Sequence, residues 1–275
     1  MIIDGRAIAQ QLNFHTKFQV EKLSFQPLLV DVLVGNDPAS VSYVKIKQRK
    51  AEQCGFAFEL AQLSESFTTE QVIAAIEQIL LKPNLSGLLV QLPLPSHLDE
   101  AKILQTIPVE LDVDVLSQQS RQNFYTGQSK LQPPTAGSIL HILDNLTEPI
   151  QDLQYLVLGQ GELVGLPTTY LLQQRGFKVW TADSNTENVS ELLSQADCII
   201  SGVGKPNLIS GPDLKPHCIV IDAGTSEASG SITGDVDFES VSKIVQYITP
   251  VPGGVGPVTV AKLLENVLLV AMNRS

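Results

Sequence analysis

Residues 28–47 read Leu28-Leu-Val-Asp-Val-Leu-Val-Gly-Asn-Asp-Pro38-Ala-Ser-Val-Ser-Tyr43-Val-Lys-Ile-Lys47. The run Leu28–Val34 is mostly apolar and predicts a buried strand, and the Gly-Asn-Asp-Pro sequence after it predicts a turn. Glycine and proline are then absent until Gly55, which predicts a helix. On that helix Tyr43 and Lys47 share one face, so an aromatic ring and an amine could together hold a flat heterocycle and move a proton.

Strand-like and helix-like segments alternate along the rest of the chain. The short apolar segments are residues 28–34, 87–91, 155–158, 178–182, 198–201 and 218–223. The helix-like segments between and after them include 41–54, 69–81, 138–145, 163–174, 189–195 and 258–273. This alternation predicts an α/β fold in which helices cover both faces of parallel sheets.

The composition limits the possible classes of function. The chain has 275 residues, of which 43% are hydrophobic and 17% are charged, so it can bury a full core. Its formal net charge of −11 argues against non-specific nucleic-acid binding. The N-terminus lacks a signal-peptide pattern, and no apolar run reaches membrane-spanning length, so we expect a soluble, cytoplasmic protein with no membrane partner.

The cysteines and histidines give no indication of a metal site. Cys54, Cys198 and Cys218 lack CxxC spacing and are typical of buried thiols in a reducing compartment. The four histidines are scattered along the chain and form no ligand pair. We therefore predict neither a disulfide framework nor a bound metal.

A polar, glutamine-rich stretch at residues 117–132 predicts a crossing between two domains. The segment 258–273 is apolar at helical spacing and is expected to pack back on the first domain. The predicted domains are residues 1–120 plus 258–275, which form a discontinuous domain, and residues 121–257.

A glycine-rich turn follows the strand-like segment 155–158 and precedes a helix-like segment. It reads Gly159-Gln160-Gly161-Glu-Leu-Val-Gly165. Glycines let the backbone approach a pyrophosphate, and the N-terminus of the following helix then faces the anion. The spacing is one residue longer than the commonest dinucleotide-binding fingerprint, but the strand–turn–helix context favours nucleotide binding over an ordinary turn.

Asp183 ends the next strand-like segment, where an acidic residue typically binds the hydroxyls of the adenosine ribose. A carboxylate in that position would repel the 2′-phosphate of NADP. The alternative is that Asp183 caps a turn within residues 182–186. A further loop, residues 249–257, packs three prolines and three glycines into nine residues, which suits a backbone pressed against a ligand.

These residues together resemble the bifunctional methylenetetrahydrofolate dehydrogenase/methenyltetrahydrofolate cyclohydrolase family nearly end to end. The matching motifs are Val34-Gly-Asn-Asp-Pro-Ala-Ser40, Gly87-Leu-Leu-Val-Gln-Leu-Pro-Leu-Pro95, Asp112-Val-Asp114, Gly202-Val-Gly-Lys-Pro206, Gly234-Asp-Val236 and residues 247–257. The resemblance implies two domains, a parallel-sheet α/β folate domain and a Rossmann-like nucleotide domain, with a cleft between them.

The resemblance also implies roles for individual residues. It places the catalytic lysine at Lys47, a stacking tyrosine at Tyr43, a lysine-tuning glutamine at Gln91 and a pterin-binding aspartate at Asp114. The residues implied to bind the cofactor are Gly159, Gln160, Gly161, Gly165, Asp183 and Thr225. Pro252, Gly253 and Gly254 are implied to contact the tetrahydrofolate substrate, as are Tyr43 and Asp114.

The chain departs from the family mostly on the cofactor side. Gln160 and Gly161 stand where the family usually has Arg-Ser, Leu166 stands where it has Arg or Lys, and Asp183 stands where a basic residue is common. Val115 stands where the family has Gly after the Asp-Val-Asp run. Fewer cationic and hydroxyl donors favour NAD over NADP.

The implied activity is oxidation of 5,10-methylene-tetrahydrofolate with NAD or NADP, followed by hydrolysis of the methenyl product to 10-formyl-tetrahydrofolate. Two alternatives within the family stay open, a cyclohydrolase alone and a non-catalytic folate-binding homologue with a degraded nucleotide site. A short-chain dehydrogenase is disfavoured because its glycine loop precedes its Tyr-x-x-x-Lys pair. The resemblance further implies a homodimer.

Overall fold

A computed structural model describes residues 1–228 and 231–274, which form two compact units. The first unit comprises Gln11–Pro134 and the residues from Val260 onward; the second comprises Met1–Gln10 and Thr135–Thr259. The domain limits predicted from sequence differ from these units at residues 1–10, 121–134 and 258–259. They remain a prediction of functional domains.

The first unit is built on a parallel sheet of three strands in the order β2-β1-β3. These strands are β1 (Leu28–Val34), β2 (Ala57–Leu63) and β3 (Leu85–Val90). Its helices include α2 (Pro38–Gln53), α3 (Thr69–Leu80), α4 (Glu100–Gln105) and α5 (Gln118–Tyr125). Every residue of β1 after Leu28 is buried, as expected for the central strand of a covered parallel sheet.

Two long helices run through residues of both units. They are α1 (Gly5–Val20) and α10 (Val255–Met272). Within the first unit, Asn266 on α10 donates hydrogen bonds to the carbonyl oxygens of Val113 and Gln132, each at 2.8 Å. Helix α10 is long and apolar enough to cross a membrane, but 61% of it is buried inside the protein, as is common for a core helix.

The second unit contains a parallel sheet of five strands in the order β10-β7-β6-β4-β5. The strands are β4 (Gln154–Leu158), β5 (Lys178–Ala182), β6 (Cys198–Ser201), β7 (Ile219–Asp222) and β10 (Tyr247–Ile248). The remaining elements include α6 (Pro134–Asp144), α7 (Gly165–Gln174), α8 (Val189–Gln195), α9 (Phe238–Val241) and the two antiparallel strands β8 (Ser226–Ala228) and β9 (Ser231–Thr233).

The strand order of the second unit fixes where a ligand can bind. The chain continues from β4 to β5 on one side and then to β6 on the other, so the direction of winding reverses between β4 and β6. In open α/β sheets the crevice outside the carboxyl ends of the strands at such a point is the usual ligand site. The loops after β4, β5 and β6 all lie at that edge.

The α/β class and the two parallel sheets predicted from sequence are confirmed. β1, β5, β6 and α8 have the predicted limits. Strand β2 and helix α1 were not predicted; β2 contains Glu59 and Gln62 and is only partly buried. The polar stretch 117–132, predicted as a crossing segment, contains α5, which starts where the Ser117 side chain accepts a hydrogen bond from the Ser120 amide.

The three cysteines are free and buried, as predicted.

Candidate functional site

Helix α2 places Tyr43 and Lys47 on one face. The helix begins after Asp37, whose side chain accepts a hydrogen bond from the Ser40 amide at 2.8 Å, and Pro38 occupies its first turn. The amine of Lys47 lies 5.2 Å from the centre of the Tyr43 ring. Lys47 is only 4% exposed, whereas Tyr43 is 36% exposed, so the ring forms the outer part of the pair.

Gln91 contacts the lysine from the end of β3. Its backbone amide donates to the Val32 carbonyl at 2.8 Å, which holds the residue beside β1. Its side-chain oxygen accepts a hydrogen bond from the Lys47 amine at 2.9 Å, and its side-chain nitrogen donates to the carbonyl of Leu92. Both ends of the amide are therefore engaged, and its orientation is fixed.

The same amine contacts Asp31, to which no sequence motif pointed. Asp31, in the middle of β1, is completely buried, and its Oδ2 lies 2.6 Å from the Lys47 amine. Burial raises the pKa of Asp31, and the positive charge of Lys47 opposes this rise. A single acidic residue inside an otherwise apolar strand was the available sequence signal, since an unpaired charge is rarely buried.

Asp114 adds a second carboxylate to this cluster. Burial raises its pKa to about 6; the charge of Lys47 lowers it, and the charges of Asp112 and Asp31 raise it. Asp114 is half-buried.

The backbone beside Asp114 is held in an unusual conformation. The carboxylate of Asp112 accepts hydrogen bonds from the backbone amides of Leu116 at 3.2 Å and Ser117 at 2.8 Å. Val115 adopts a left-handed φ of 58°. That conformation is strained for a β-branched residue and is maintained by the surrounding hydrogen bonds.

Tyr43 is kept neutral by its surroundings. Burial raises the pKa of its phenol, and the negative charges of Asp114 and Asp31 raise it further. A neutral phenol can stack on a flat ligand and donate a hydrogen bond. The first unit thus brings together an amine, a phenol, an amide and two carboxylates, a set suited to binding a polar heterocycle and transferring protons.

The glycine-rich turn of the second unit lies between β4 and α7. Gly159 adopts a φ of 82°, and its amide donates to the Ala182 carbonyl at 2.8 Å. A side chain at Gly165 would overlap the carbonyl oxygen of Gly159, so the helix can start close to the turn only with glycine there. A side-chain carbon at Gly161, by contrast, would meet no protein atom within 4 Å.

These features fit a bound pyrophosphate. No side chain caps the first turn of α7, and open space for an anion lies beside Gly161. Within this turn the Leu166 amide donates to the Gly161 carbonyl at 3.1 Å. The Gln160 amide nitrogen donates to the Gly159 carbonyl at 3.0 Å and lies 3.4 Å from the Thr169 hydroxyl. The turn contains no arginine, and its fit to a dinucleotide phosphate rests on the close approach that the backbone permits at Gly161.

Asp183 lies next to this turn because Leu158 and Ala182 pair in the parallel ladder. Its Oδ1 accepts hydrogen bonds from the Asn185 amide at 2.9 Å and the Thr186 hydroxyl at 3.1 Å. The turn-capping alternative is therefore present in the structure. Because the turn uses Oδ1, the predicted binding of ribose hydroxyls would fall to Oδ2 of Asp183.

The buried Asp235 holds the loop after β6 in place, and the buried Asp222 in turn binds the backbone around Asp235. Asp235 accepts hydrogen bonds from the Ser201 hydroxyl at 2.6 Å and from the amides of Val203 at 2.7 Å and Lys205 at 2.8 Å. Asp222 accepts from three further amides, those of Gly224, Asp235 and Val236. The sequence motif Gly234-Asp-Val236 did not by itself predict that Asp235 binds this loop.

Thr225 follows β7 and is exposed at the same edge of the sheet as the glycine-rich turn. Pro252, Gly253 and Gly254 lie on another loop of the second unit, where the Gly254 amide donates to the Pro250 carbonyl at 2.7 Å. A side-chain carbon at Gly253 would lie 3.5 Å from the guanidinium of Arg6. The contact of this loop with the substrate remains a prediction.

Comparisons with known proteins agree with this geometry. Family models for the tetrahydrofolate dehydrogenase/cyclohydrolase catalytic domain and NAD(P)-binding domain match residues 3–114 and 133–275. The bifunctional protein FolD of Desulforamulus reducens is 40% identical over 97% of this chain and 95% of its own.

Two solved structures are similar over the whole chain. The bifunctional enzyme FolD, methylenetetrahydrofolate dehydrogenase/cyclohydrolase, of Campylobacter jejuni has a TM-score of 0.95 at 34% identity and covers 100% of this chain and 99% of its own. The methylenetetrahydrofolate dehydrogenase-cyclohydrolase of Trypanosoma brucei, solved with NADP and an inhibitor, has a TM-score of 0.93 at 30% identity, covering 100% and 98% of the two chains.

Proposed function

Because the chain belongs to the tetrahydrofolate dehydrogenase/cyclohydrolase family, we propose that it interconverts one-carbon derivatives of tetrahydrofolate. It oxidises 5,10-methylene-tetrahydrofolate with NAD or NADP and hydrolyses the methenyl product to 10-formyl-tetrahydrofolate. The observation that carries this proposal is the contact of the buried Lys47 amine with Gln91 beside the Tyr43 ring, on the helix and strand where the family motifs lie.

The first unit provides the groups that would bind the folate. Asp114, as a carboxylate, accepts hydrogen bonds from the amino and ring N–H groups of the pterin, and these bonds are strengthened by the charge. The neutral ring of Tyr43 stacks on the flat part of the substrate. Both residues lie beside Lys47, so a bound pterin has its one-carbon bridge within reach of an amine.

Lys47 moves protons during hydrolysis. Water attacks the methenyl carbon, a C–O bond forms, and the Lys47 amine accepts a proton from the attacking water. As the bond from that carbon to N5 breaks, the ammonium returns the proton to N5, and the carbon remains on N10 as a formyl group. The second proton of the water is released to solvent. Gln91 holds the amine in position throughout.

The nicotinamide cofactor supplies the acceptor for the hydride in the oxidation. The residues that would hold it are the turn Gly159, Gln160, Gly161 and Gly165, together with Asp183 and Thr225. The absence of an arginine in this turn and the carboxylate at Asp183 favour NAD, because both leave a 2′-phosphate without a cationic partner. The Trypanosoma brucei relative was solved with NADP, so the cofactor preference of this chain has to be measured.

The test follows the absorbance of methenyl-tetrahydrofolate in two assays. The first measures its formation from the methylene compound with NAD and with NADP in parallel, and the second measures its disappearance by hydrolysis. We expect both reactions, with a higher kcat/KM for NAD. Hydrolysis without oxidation would leave a cyclohydrolase alone, and folate binding without either reaction would leave a non-catalytic homologue; each overturns the proposal. A strong preference for NADP would contradict only the cofactor assignment.

The variant Asp183→Asn sharpens the cofactor test. It keeps the acceptor oxygen used by Asn185 and Thr186 but removes the negative charge. We expect kcat/KM for NADP to rise about tenfold relative to that for NAD, because the side chain no longer repels the 2′-phosphate. A tenfold change corresponds to about 1.4 kcal/mol. An unchanged ratio would show that Asp183 serves only the turn. The homodimer and the cytoplasmic location remain predictions.

A further inference from the structure

The strand position of Asp31 calls for an explanation beyond packing. It is completely buried in β1, between Val30 and Val32, and its neighbours in the two adjacent strands are Leu60 and Leu89. Burying a carboxylate among aliphatic side chains costs free energy unless it is paired. Its one ionic partner among the described residues is the Lys47 amine, at 2.6 Å.

Lys47 is held from two sides by groups of different charge. Gln91 provides a neutral acceptor at 2.9 Å, and Asp31 provides an anionic one at 2.6 Å. Among the described residues, no hydrogen-bond donor contacts Oδ1 of Asp31, so the carboxylate has no other partner to hold its charge. The protonation of the amine and that of the carboxylate are therefore linked.

We propose that Asp31 is a positioning residue for Lys47, which fixes the amine against Gln91 and whose charge sets the pH dependence of hydrolysis. The proposal rests on the proposed role of Lys47 in hydrolysis. Asp31 lies on β1, whereas Lys47 lies on α2, and no contact of Asp31 with the substrate is predicted.

The charges around Lys47 and Asp31 determine in which direction the pH profile of hydrolysis moves when Asp31 loses its charge. Tyr43 on α2 is neutral, and Asp112 and Asp114 are the other acidic groups whose charges act on this cluster. An anion beside an amine favours the ammonium form. Removal of the Asp31 charge should therefore move the pH profile of hydrolysis to lower pH.

The experiment compares the pH profile of methenyl-tetrahydrofolate hydrolysis in the unmodified chain and in Asp31→Asn, after subtraction of the uncatalysed rate. Asparagine keeps the shape and an acceptor oxygen but not the charge. We expect the midpoint of the kcat profile to move to lower pH by about one to three units, the range produced by an opposite charge at this distance. The KM for the folate should change less than kcat.

Val30→Ala is the matched control, because Val30 directly precedes Asp31 in the same buried strand and its side chain points to the opposite face of the sheet. It creates a small cavity without changing the charge around Lys47, so its pH profile should coincide with that of the unmodified chain. Coincident profiles for Asp31→Asn and the unmodified chain would overturn the proposal, since a packing role alone predicts that result.

A second measurement covers the case in which Asp31→Asn does not fold or the chain shows no hydrolysis. Aspartate carboxyl groups labelled with ¹³C are titrated by NMR in the unmodified chain and in Lys47→Met. The Asp31 resonance should titrate at higher pH in Lys47→Met, because the ammonium no longer stabilises the carboxylate. The same midpoint in both proteins would overturn the proposal. A positive NMR result without hydrolysis would contradict only the proposed function.

Discussion

The cluster around Lys47 and the turn around Gly159 are built from different parts of the chain. In the first, side chains form the site: the Lys47 amine contacts the Asp31 carboxylate and the Gln91 amide and lies over the Tyr43 ring, and Lys47 and Asp31 are almost completely buried. In the second, the conformation of the backbone forms the site. The features that fit a phosphate are the φ of Gly159, the close packing of Gly165 and the uncapped first turn of α7.

The difference predicts how each region responds to substitution. A side chain in the Lys47 cluster cannot be replaced without removing a charge or a proton acceptor, so the chemistry is lost while the fold can remain. In the glycine turn a side chain would meet no protein atom at Gly161 but would overlap the Gly159 carbonyl at Gly165. There the sensitive positions are those where a side chain would not fit.

Lys47→Met tests this contrast with the largest expected effect. Loss of the proton-transfer group should lower kcat for hydrolysis by about 10²- to 10⁴-fold, while the affinity for NAD stays the same. Asp31, without its cation, should take up a proton, because burial already raises its pKa. The measurements are methenyl hydrolysis, calorimetric binding of NAD and circular dichroism.

Lys45→Met is the control for this variant, since Lys45 is an exposed lysine on the same helix. It should retain full hydrolysis. Full hydrolysis in Lys47→Met would end the assignment of this residue as the proton carrier.

Asp114→Asn should have an intermediate effect and a characteristic pH dependence. The carboxylate form binds the pterin, and burial raises the pKa of Asp114 to about 6, so the KM of the unmodified chain should fall as pH rises from about 5 to about 7. The loss of a hydrogen bond to a charged group, about 1.5–3 kcal/mol, should raise KM roughly 10- to 100-fold. In the variant the dependence on pH over this range should disappear.

An exposed aspartate outside the cluster provides the comparison for that experiment. Asp152 is exposed in the second unit, and Asp152→Asn should leave both the KM and its pH dependence as they are. A KM that still falls between pH 5 and 7 in Asp114→Asn would assign the titration to another group.

Gly165→Ala should give the smallest of the three effects and should be confined to the nucleotide side. The added methyl group overlaps the Gly159 carbonyl, so the turn must move at a cost of about 1–3 kcal/mol, and the Kd for NAD should rise up to about tenfold. Hydrolysis should persist.

Gly256→Ala is the control, because a side-chain carbon there meets nothing within 4 Å. NAD affinity equal to that of the unmodified chain in Gly165→Ala would show that the close packing of the turn is unrelated to nucleotide binding.

The same contrast explains what the sequence could predict. The β1–turn–α2 segment was predictable because the change from a buried apolar run to a glycine-free stretch is local, and Tyr43 and Lys47 share a face through helical periodicity alone. The family motifs pointed to Gln91, which the structure places in contact with Lys47. These predictions required only local geometry or a direct match of motifs.

Asp31 and Asp235 were not predicted because their roles arise from contacts between segments distant in sequence. Asp31 meets a lysine from the following helix, and Asp235 accepts hydrogen bonds from the loop after β6. Strand β2 was missed because its polar residues interrupt the apolar pattern at the edge of the sheet. The capping of a turn by Asp183 was predicted as an alternative, and local hydrogen bonding made that possible.

The last helix has a consequence for how the protein is made. During translation, the side chains of the Lys47 cluster leave the ribosome long before residues 260–274, although Asn266 and Arg274 supply hydrogen bonds to the carbonyls of Val113, Gln132 and Leu85 in that unit. A nascent chain that has reached the end of β10 therefore carries these residues without their final covering. Its first unit can complete these hydrogen bonds only after residues 260–274 have been synthesised.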